Sequence, residues 1–260
     1  MIFRGATRLF VCSVFAFVLL EACGFAYDIE PYLEKIPSES ESVLKLVFCP
    51  LNYQDKEIFL EDIDIVIERL RRTRPFDEFI RNIGFYYVVF SKEEEELIFK
   101  QTEGFPPLNV RQDFLNDILS YLNSNYKLII IDASASVSCA ELSSRDKMSL
   151  IILGRRRYKN RNSFAKGFLH ELGHSLGLRD ECVDCGELCP PGPPNCATTE
   201  EEAKNWWGDL VGEVSNAHYI RGCCGNRGYI RPTIASLMND PDKAEDFGPV
   251  NERYLRKILE

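Results

Sequence analysis

The sequence predicts an α/β fold: a mixed, mostly parallel twisted sheet with crossover helices, followed by a loop-rich, cysteine-containing C-terminal subdomain. Two observations carry this. Four short runs rich in β-branched and aromatic residues, Val43 to Phe48, Phe85 to Phe90, Lys127 to Asp132 and Ser149 to Leu153, alternate with segments of helical periodicity. Six of the ten cysteines then fall between Cys182 and Cys224, and the stretch from Cys182 to Cys196 is also rich in proline and glycine.

The elements follow in order. Arg4 and Arg8 precede an unbroken apolar stretch, Leu9 to Leu20, and the small residues Ala22, Gly24 and Ala26 lead into a polar segment. This pattern predicts a signal peptide over residues 1–26 and an exported protein. Twelve apolar residues are too few for a stable membrane span, which needs roughly twenty. Anchoring as a lipoprotein through Cys23 is the lesser alternative. Cleavage near Ala26 removes Cys12 and Cys23. Beyond it, Ile58, Ile65 and Leu70 mark one helix, and Phe114, Ile118, Leu119 and Leu122 a second. A third is predicted from about Ser163 to Leu176, a fourth near Thr199 to Val211 and a last from Val250 to Leu259. The mature chain divides after the third helix into an N-terminal α/β part, 27–177, and a C-terminal part, 178–260. The balance of 31 basic against 40 acidic side chains, a net charge of −9, argues against a nucleic-acid partner.

The chemistry concentrates in FLHELGHSLGLRD, residues 168 to 180, which holds two of the three histidines in the chain. On a helix His170 and His174 lie one turn apart on one face and can chelate one cation through imidazole nitrogens. Glu171, one position round, reaches a metal-bound water without being a ligand. Gly177 stands where the helix must stop in a left-handed turn, which is cheap only for glycine. Asp180 then supplies a third ligand and leaves a fourth position for water, the pattern of a catalytic zinc site. Glu181 competes with Asp180 for that role, and His218 is the fallback.

The pattern HExxHxxGxx with a third ligand, and Ser236-Leu237-Met238-Asn239 as a downstream methionine turn, resembles the metzincin signature of zinc metallopeptidases. The surroundings are most similar to the IgA-peptidase-like metallopeptidases. The shared features are Pro75-Phe76, Phe164-Ala165, Phe168-Leu169, Asp180-Glu181, and Gly228 to Pro232 ahead of the methionine. Asp180 stands where most metzincins carry a histidine. The resemblance implies a metzincin-like fold with an active-site helix, one catalytic zinc ion on His170, His174 and Asp180, and Glu171 as general base. It further implies Met238 as an apolar floor beneath the metal, and a protein or peptide as substrate. A catalytically silent zinc-binding extracellular interaction module is the alternative.

Other features are weighed beside this site. Cys182, Cys185, Cys189, Cys196, Cys223 and Cys224 form disulfides or, less favoured in an exported chain, hold a second zinc as thiolates. Six cysteines allow fifteen pairings. Cys49 and Cys139 are left as a bridge or as buried thiols. Tyr219 and Tyr229 are candidate phenols for oxyanion support, with packing their commoner role. The run Arg155 to Arg161 is read first as a solvated connection and second as an attractor of acidic substrate residues. Glu93 to Glu96 and Glu200 to Glu202 read as exposed faces, and Trp206-Trp207 as packing of the C-terminal part.

Overall fold

In the computed structural model, residues 28–31, 43–101, 108–122, 126–144, 147–183 and 189–260 are described. The predicted signal peptide and Cys185 lie outside them. The elements are β1 (Asp28–Pro31), β2 (Leu44–Leu51), α1 (Lys56–Leu70), α2 (Phe76–Phe79), β3 (Ile83–Val89), α3 (Lys92–Ile98), β4 (Phe99–Gln101), β5 (Leu108–Val110), α4 (Gln112–Leu122), β6 (Lys127–Asp132), β7 (Cys139–Ala140), β8 (Ser149–Gly154), α5 (Arg161–Ser175), α6 (Glu200–Trp207), β9 (Ile220–Cys223), β10 (Asn226–Arg231) and α7 (Pro249–Leu259). Among them no helix is long and apolar enough to cross a membrane.

Six strands form one sheet in the order β1-β3-β2-β6-β8-β7. The four inner strands are parallel, and the edge strands β1 and β7 are antiparallel to their neighbours. Every residue of β6 and β8 is buried, as a parallel sheet covered on both faces requires. Alternation along the strands sorts the side chains into two layers. Leu46, Phe48, Ile129, Ile131, Ile151 and Leu153 meet α1, α5 and α7 on one face. Val47, Cys49, Leu128, Ile130, Leu150 and Ile152 meet α3, the β4–β5 hairpin and α4 on the other. Leu237, Met238, Phe247, Leu255 and Leu259 belong to the first of these layers, so the segments before and after Gly177 share one hydrophobic core.

The four predicted strands form, and β2 runs on to Leu51 because its register with β6 continues to Asp132. The fourth helix is shorter than predicted, ending at Trp207. Trp207 is buried against Ala203, Ile230 and Val250, as the packing reading anticipated. Two details depart from expectation. Leu119 points outward from α4. Within the acidic run Glu95 is buried, pairing with Lys92 and accepting from the backbone N–H of Asn52, whose φ of 60° turns that group inward.

Helix α5 is buried almost all round, lying between the sheet and the C-terminal segment. Even its Lys166 is buried, with the ammonium on the carboxylate of Glu245. Arg69 of α1 donates to the same carboxylate at 2.8 Å and to the Glu245 carbonyl at 2.7 Å. The Lys166 and Arg69 bonds hold the Glu245 carboxyl below the usual range. Because its folded pKa is depressed, this stabilisation is complete above the ordinary glutamate pKa and disappears as pH falls through the folded value. Glu245→Gln should lower stability at neutral pH by about 1–2 kcal/mol, discounted because the carboxylate's outer side is solvated. Denaturant titrations should show the gap to the unsubstituted protein closing below about pH 4.

Candidate metal centre

The last turn of α5 fixes the first two functional side chains. Gly177 N–H donates to the His174 carbonyl and Leu178 N–H to the Gly173 carbonyl, both at 2.9 Å, the paired bonds of a Schellman cap. Gly177 has φ +104°, and a Cβ there would lie 2.7 Å from the Tyr254 hydroxyl. The cap returns the Leu178 carbonyl to within 2.9 Å of His174 Nδ1, while Leu237 of the predicted methionine turn places its carbonyl 2.8 Å from His170 Nδ1. A carbonyl only accepts, so each Nδ1 carries the hydrogen, and each neutral ring presents a lone pair at Nε2.

Those lone pairs converge. His170 Nε2 and His174 Nε2 are 3.2 Å apart, and each is 3.4 Å from Asp180 Oδ1. Ligand atoms bound tetrahedrally to zinc at roughly 2.0–2.1 Å are separated by about 3.3–3.4 Å. Three electron-rich atoms at that spacing repel one another unless a cation or a proton lies between them. Among the described residues this is the single group of three or more His, Cys, Asp and Glu side chains so arranged. Burial, then repulsion from His174, pushes the His170 imidazole down to about 4. Burial also pulls His174 down, but the hydrogen bond and charge of Asp180 more than offset it, and the net direction is up. Asp180 moves the opposite way: burial raises it, and His174 lowers it further.

Asp180 is held by its backbone. Asn195 donates from Nδ2 to the Arg179 carbonyl and accepts at Oδ1 from the Arg179 N–H, both at 2.9 Å. Cys224 N–H donates to the Asp180 carbonyl at 2.9 Å, and Glu181 N–H to the Met238 carbonyl at 2.8 Å. Glu181 itself turns away from the histidines. Its fully buried carboxylate accepts from Asn195 and Asn251 at Oε1, and from Thr233 and Ser236 at Oε2. With those lone pairs occupied it is a structural carboxylate, which corrects the reading of Glu181 as a competing ligand. Burial drives its carboxyl up against the pull of these four donors.

Glu171 is 6% exposed and makes no hydrogen bond among the described residues. Burial, with the charge of Asp180 adding to it, pushes its carboxyl up to about 7. Met238 is fully buried, and its Sδ lies 2.6 Å from where a Cβ on Gly173 would stand, so glycine there lets the turn pack directly on the helix. His170, Glu171, His174 and Asp180 all line one cavity of about 980 Å³, bordered on one side by Val137 to Leu142 around the edge strand β7.

Other candidates lie elsewhere. His218 is exposed, engaged through its backbone with Trp207 and Pro232, and is not in the cluster. Tyr219 packs on Trp207, and Tyr229 on the cysteine cluster. The phenol that lines the cavity is Tyr158. It packs so closely on α5 that a Cβ at Gly167 would meet its hydroxyl at 2.2 Å. Burial, with the charge of Glu171 adding to it, pushes that phenol up to about 12. In the sequence Tyr158 sits inside a basic run, with no local sign of this position. Within that run Arg155 is committed to Asp62 at 3.0 Å and Arg161 to Glu61 at 3.1 Å, which leaves Arg157 at the cavity. Among the described residues the tail cysteines are oxidised: Cys189 bridges Cys224, Cys196 bridges Cys223, and Cys182 is also disulfide-bonded. A thiolate-bound second zinc is therefore not formed, because its ligand sulfurs are used in bridges. Cys49 is a buried thiol and does not bridge Cys139.

Removing the Glu181 carboxylate strands four buried donors. Glu181→Ala should cost about 3 kcal/mol or more and weaken metal uptake by loosening Asp180. Thermal melts and zinc titration of the same preparation would read both effects, and an unchanged melting temperature would contradict the role given to this carboxylate.

No family model and no curated protein sequence matches the chain. Among solved structures, archaemetzincin from Methanopyrus kandleri is similar at 14% sequence identity with a TM-score of 0.39, over 86% of this chain and 99% of that one.

Proposed function

We propose that this chain is an exported zinc-dependent peptidase, acting within peptide chains, with His170, His174 and Asp180 as metal ligands and Glu171 as general base. The observation that carries it is the convergence of three lone-pair atoms at tetrahedral spacing beside a buried carboxylate without a hydrogen bond, all on the wall of an open cavity. When bound there, zinc supplies Lewis acidity, polarising a carbonyl and acidifying a water.

The chain's own residues do the rest. Glu171, with a carboxyl near neutrality, is suited to take a proton and return it to a leaving amine. Tyr158 stays protonated at neutral pH and offers a phenol donor on the same wall. Strand β7 pairs with β8 along one edge, and its other edge borders the cavity, where an extended peptide can add as a further strand. Val137 and Leu142, exposed at 53% and 39%, flank it with apolar surface for substrate side chains. The disulfides of the tail support export to an oxidising compartment.

Metal analysis of the purified mature chain should give close to one zinc per molecule, lost in His174→Ala and Asp180→Ala. Glu171→Gln should keep the metal but lower kcat on a mixed peptide library by about 10²-fold or more, with chelator abolishing activity throughout. Cleavage that survives Glu171→Gln would remove the glutamate from the mechanism. Full zinc occupancy without cleavage of any peptide would favour the silent binding module instead.

A further inference from the structure

Resting on the peptidase reading, we propose that Arg179 seats a carboxylate of the substrate, and so selects peptides that carry one near the scissile bond. Arg179 immediately precedes the third metal ligand, and its side chain lines the same cavity. Its backbone is clamped on both sides by Asn195, so the side chain leaves from a fixed point.

The guanidinium is half-buried, yet it makes no hydrogen bond among the described residues. Nε and Nη1 are closed to solvent and without a partner. Other cavity arginines are accounted for. Arg231 donates to the carbonyls of Thr233, Glu181 and Gly222, and Arg157 is exposed to water. The cavity's acidic groups are likewise engaged or distant in role. Glu141 accepts from Leu150 N–H, Asp240 pairs with Lys243, and Asp180 faces the two imidazoles. Among the described residues none of these carboxylates, nor Glu171 on the same wall, forms an ion pair with Arg179.

A half-buried guanidinium without a protein partner leaves its positive charge uncompensated toward the cavity it lines, where an anion would offset it. The wall opposite is shaped for it. A Cβ on Gly192 would lie 3.2 Å from Nη2 and 3.5 Å from Nε, so glycine keeps the guanidinium's space open. That glycine is fixed by two backbone hydrogen bonds to Cys196, which is bridged to Cys223. Nε and Nη1 are sealed against the wall, so the slot presents Nη2 and the guanidinium charge, and a carboxylate is the anionic group of a peptide that can accept from it. The carboxylate can belong to an acidic side chain or to a free C-terminus.

The test uses zinc-loaded full-length mature protein carrying Glu171→Gln, so that binding is measured without turnover. Four matched peptides serve as probes: internal Glu with an amidated end, internal Gln with an amidated end, and a neutral peptide with a free or an amidated C-terminus. One of the two carboxylate peptides should bind at least about tenfold more tightly than its amide partner. Which one does so identifies the source of the carboxylate. Adding Arg179→Gln should bring that ratio to about one. Arg179→Lys should restore part of it, because an ammonium supplies the charge without the planar placement of Nη2. Zinc content near one per chain in each variant verifies that the fold is intact. A ratio near one before Arg179 is changed, or a preference that persists in Arg179→Gln, would overturn the assignment. The catalytic reading is tested separately in protein with Glu171 restored. Cleavage there without any carboxylate preference defeats only the Arg179 proposal, and carboxylate preference without cleavage defeats only the peptidase.

Discussion

The carboxylate of Glu181 lies fully buried where four chain segments meet, and the convergence of His170, His174 and Asp180 depends on it. Asn195 comes from the disulfide loop, Thr233 and Ser236 from the approach to the methionine turn, and Asn251 from α7. Each of these side chains would lose a buried acceptor without it, and a buried anion without them would be more costly still. The network therefore forms as a whole or fails as a whole. Its geometric consequence is felt one residue away on each side. Asp180 is presented to the histidines because Glu181 is pulled the other way, and Leu237 supplies its carbonyl to His170 because Ser236 is bound beside it.

This arrangement settles the chemistry of the histidines before any metal is considered. Two main-chain carbonyls, one from the helix cap and one from the methionine turn, take the Nδ1 protons and aim both Nε2 lone pairs at Asp180. Gathering three acceptors at 3.2 to 3.4 Å costs electrostatic free energy, and the fold meets that cost in the packing of α5 and in the Glu181 network. A site so prepared is suited to a divalent cation with little reorganisation, and binding to such a preformed site is linked to the stability of the fold that prepares it. The opposite directions taken by His174 and Asp180 show the same preference for positive charge at this point, there expressed through a proton.

How much of this was legible in the sequence depended on the range of the interaction. The spacing of His170 and His174, the helix stop at Gly177 and the apolar runs of β6 and β8 are local, and local periodicity revealed them. Asp180 and Glu181 are adjacent carboxylates in a loop, and nothing local says which turns inward. That is decided by partners 14 to 70 residues away. Glu95 was misjudged for the same reason, since an acidic run reads as solvated until the inverted backbone of Asn52 comes into contact with it. Strand β7 has two residues and exists only because β8 offers it an edge. Tyr158 was hidden by its neighbours, although Gly167 on the helix facing it was the one sequence sign of a close approach.

The three proposed ligands differ in what secures them. The histidines belong to a helix embedded in the main core, whereas Asp180 belongs to a loop-rich region whose own apolar clusters are small. Its carbonyl is held by the N–H of Cys224, at a hairpin turn whose adjacent cysteines are bridged to Cys189 and Cys196, across 35 and 27 residues. On the chain-entropy account, closing loops of that length contributes about 3–4 kcal/mol for each bridge taken alone, less when the loops overlap as these do. A region of this size with so little core needs such staples to hold one conformation. Asp180 is thus coupled to oxidation of the tail in a way the two histidines are not. The cysteine-rich segment is accordingly part of the framework that positions Asp180, and not an appendage to it.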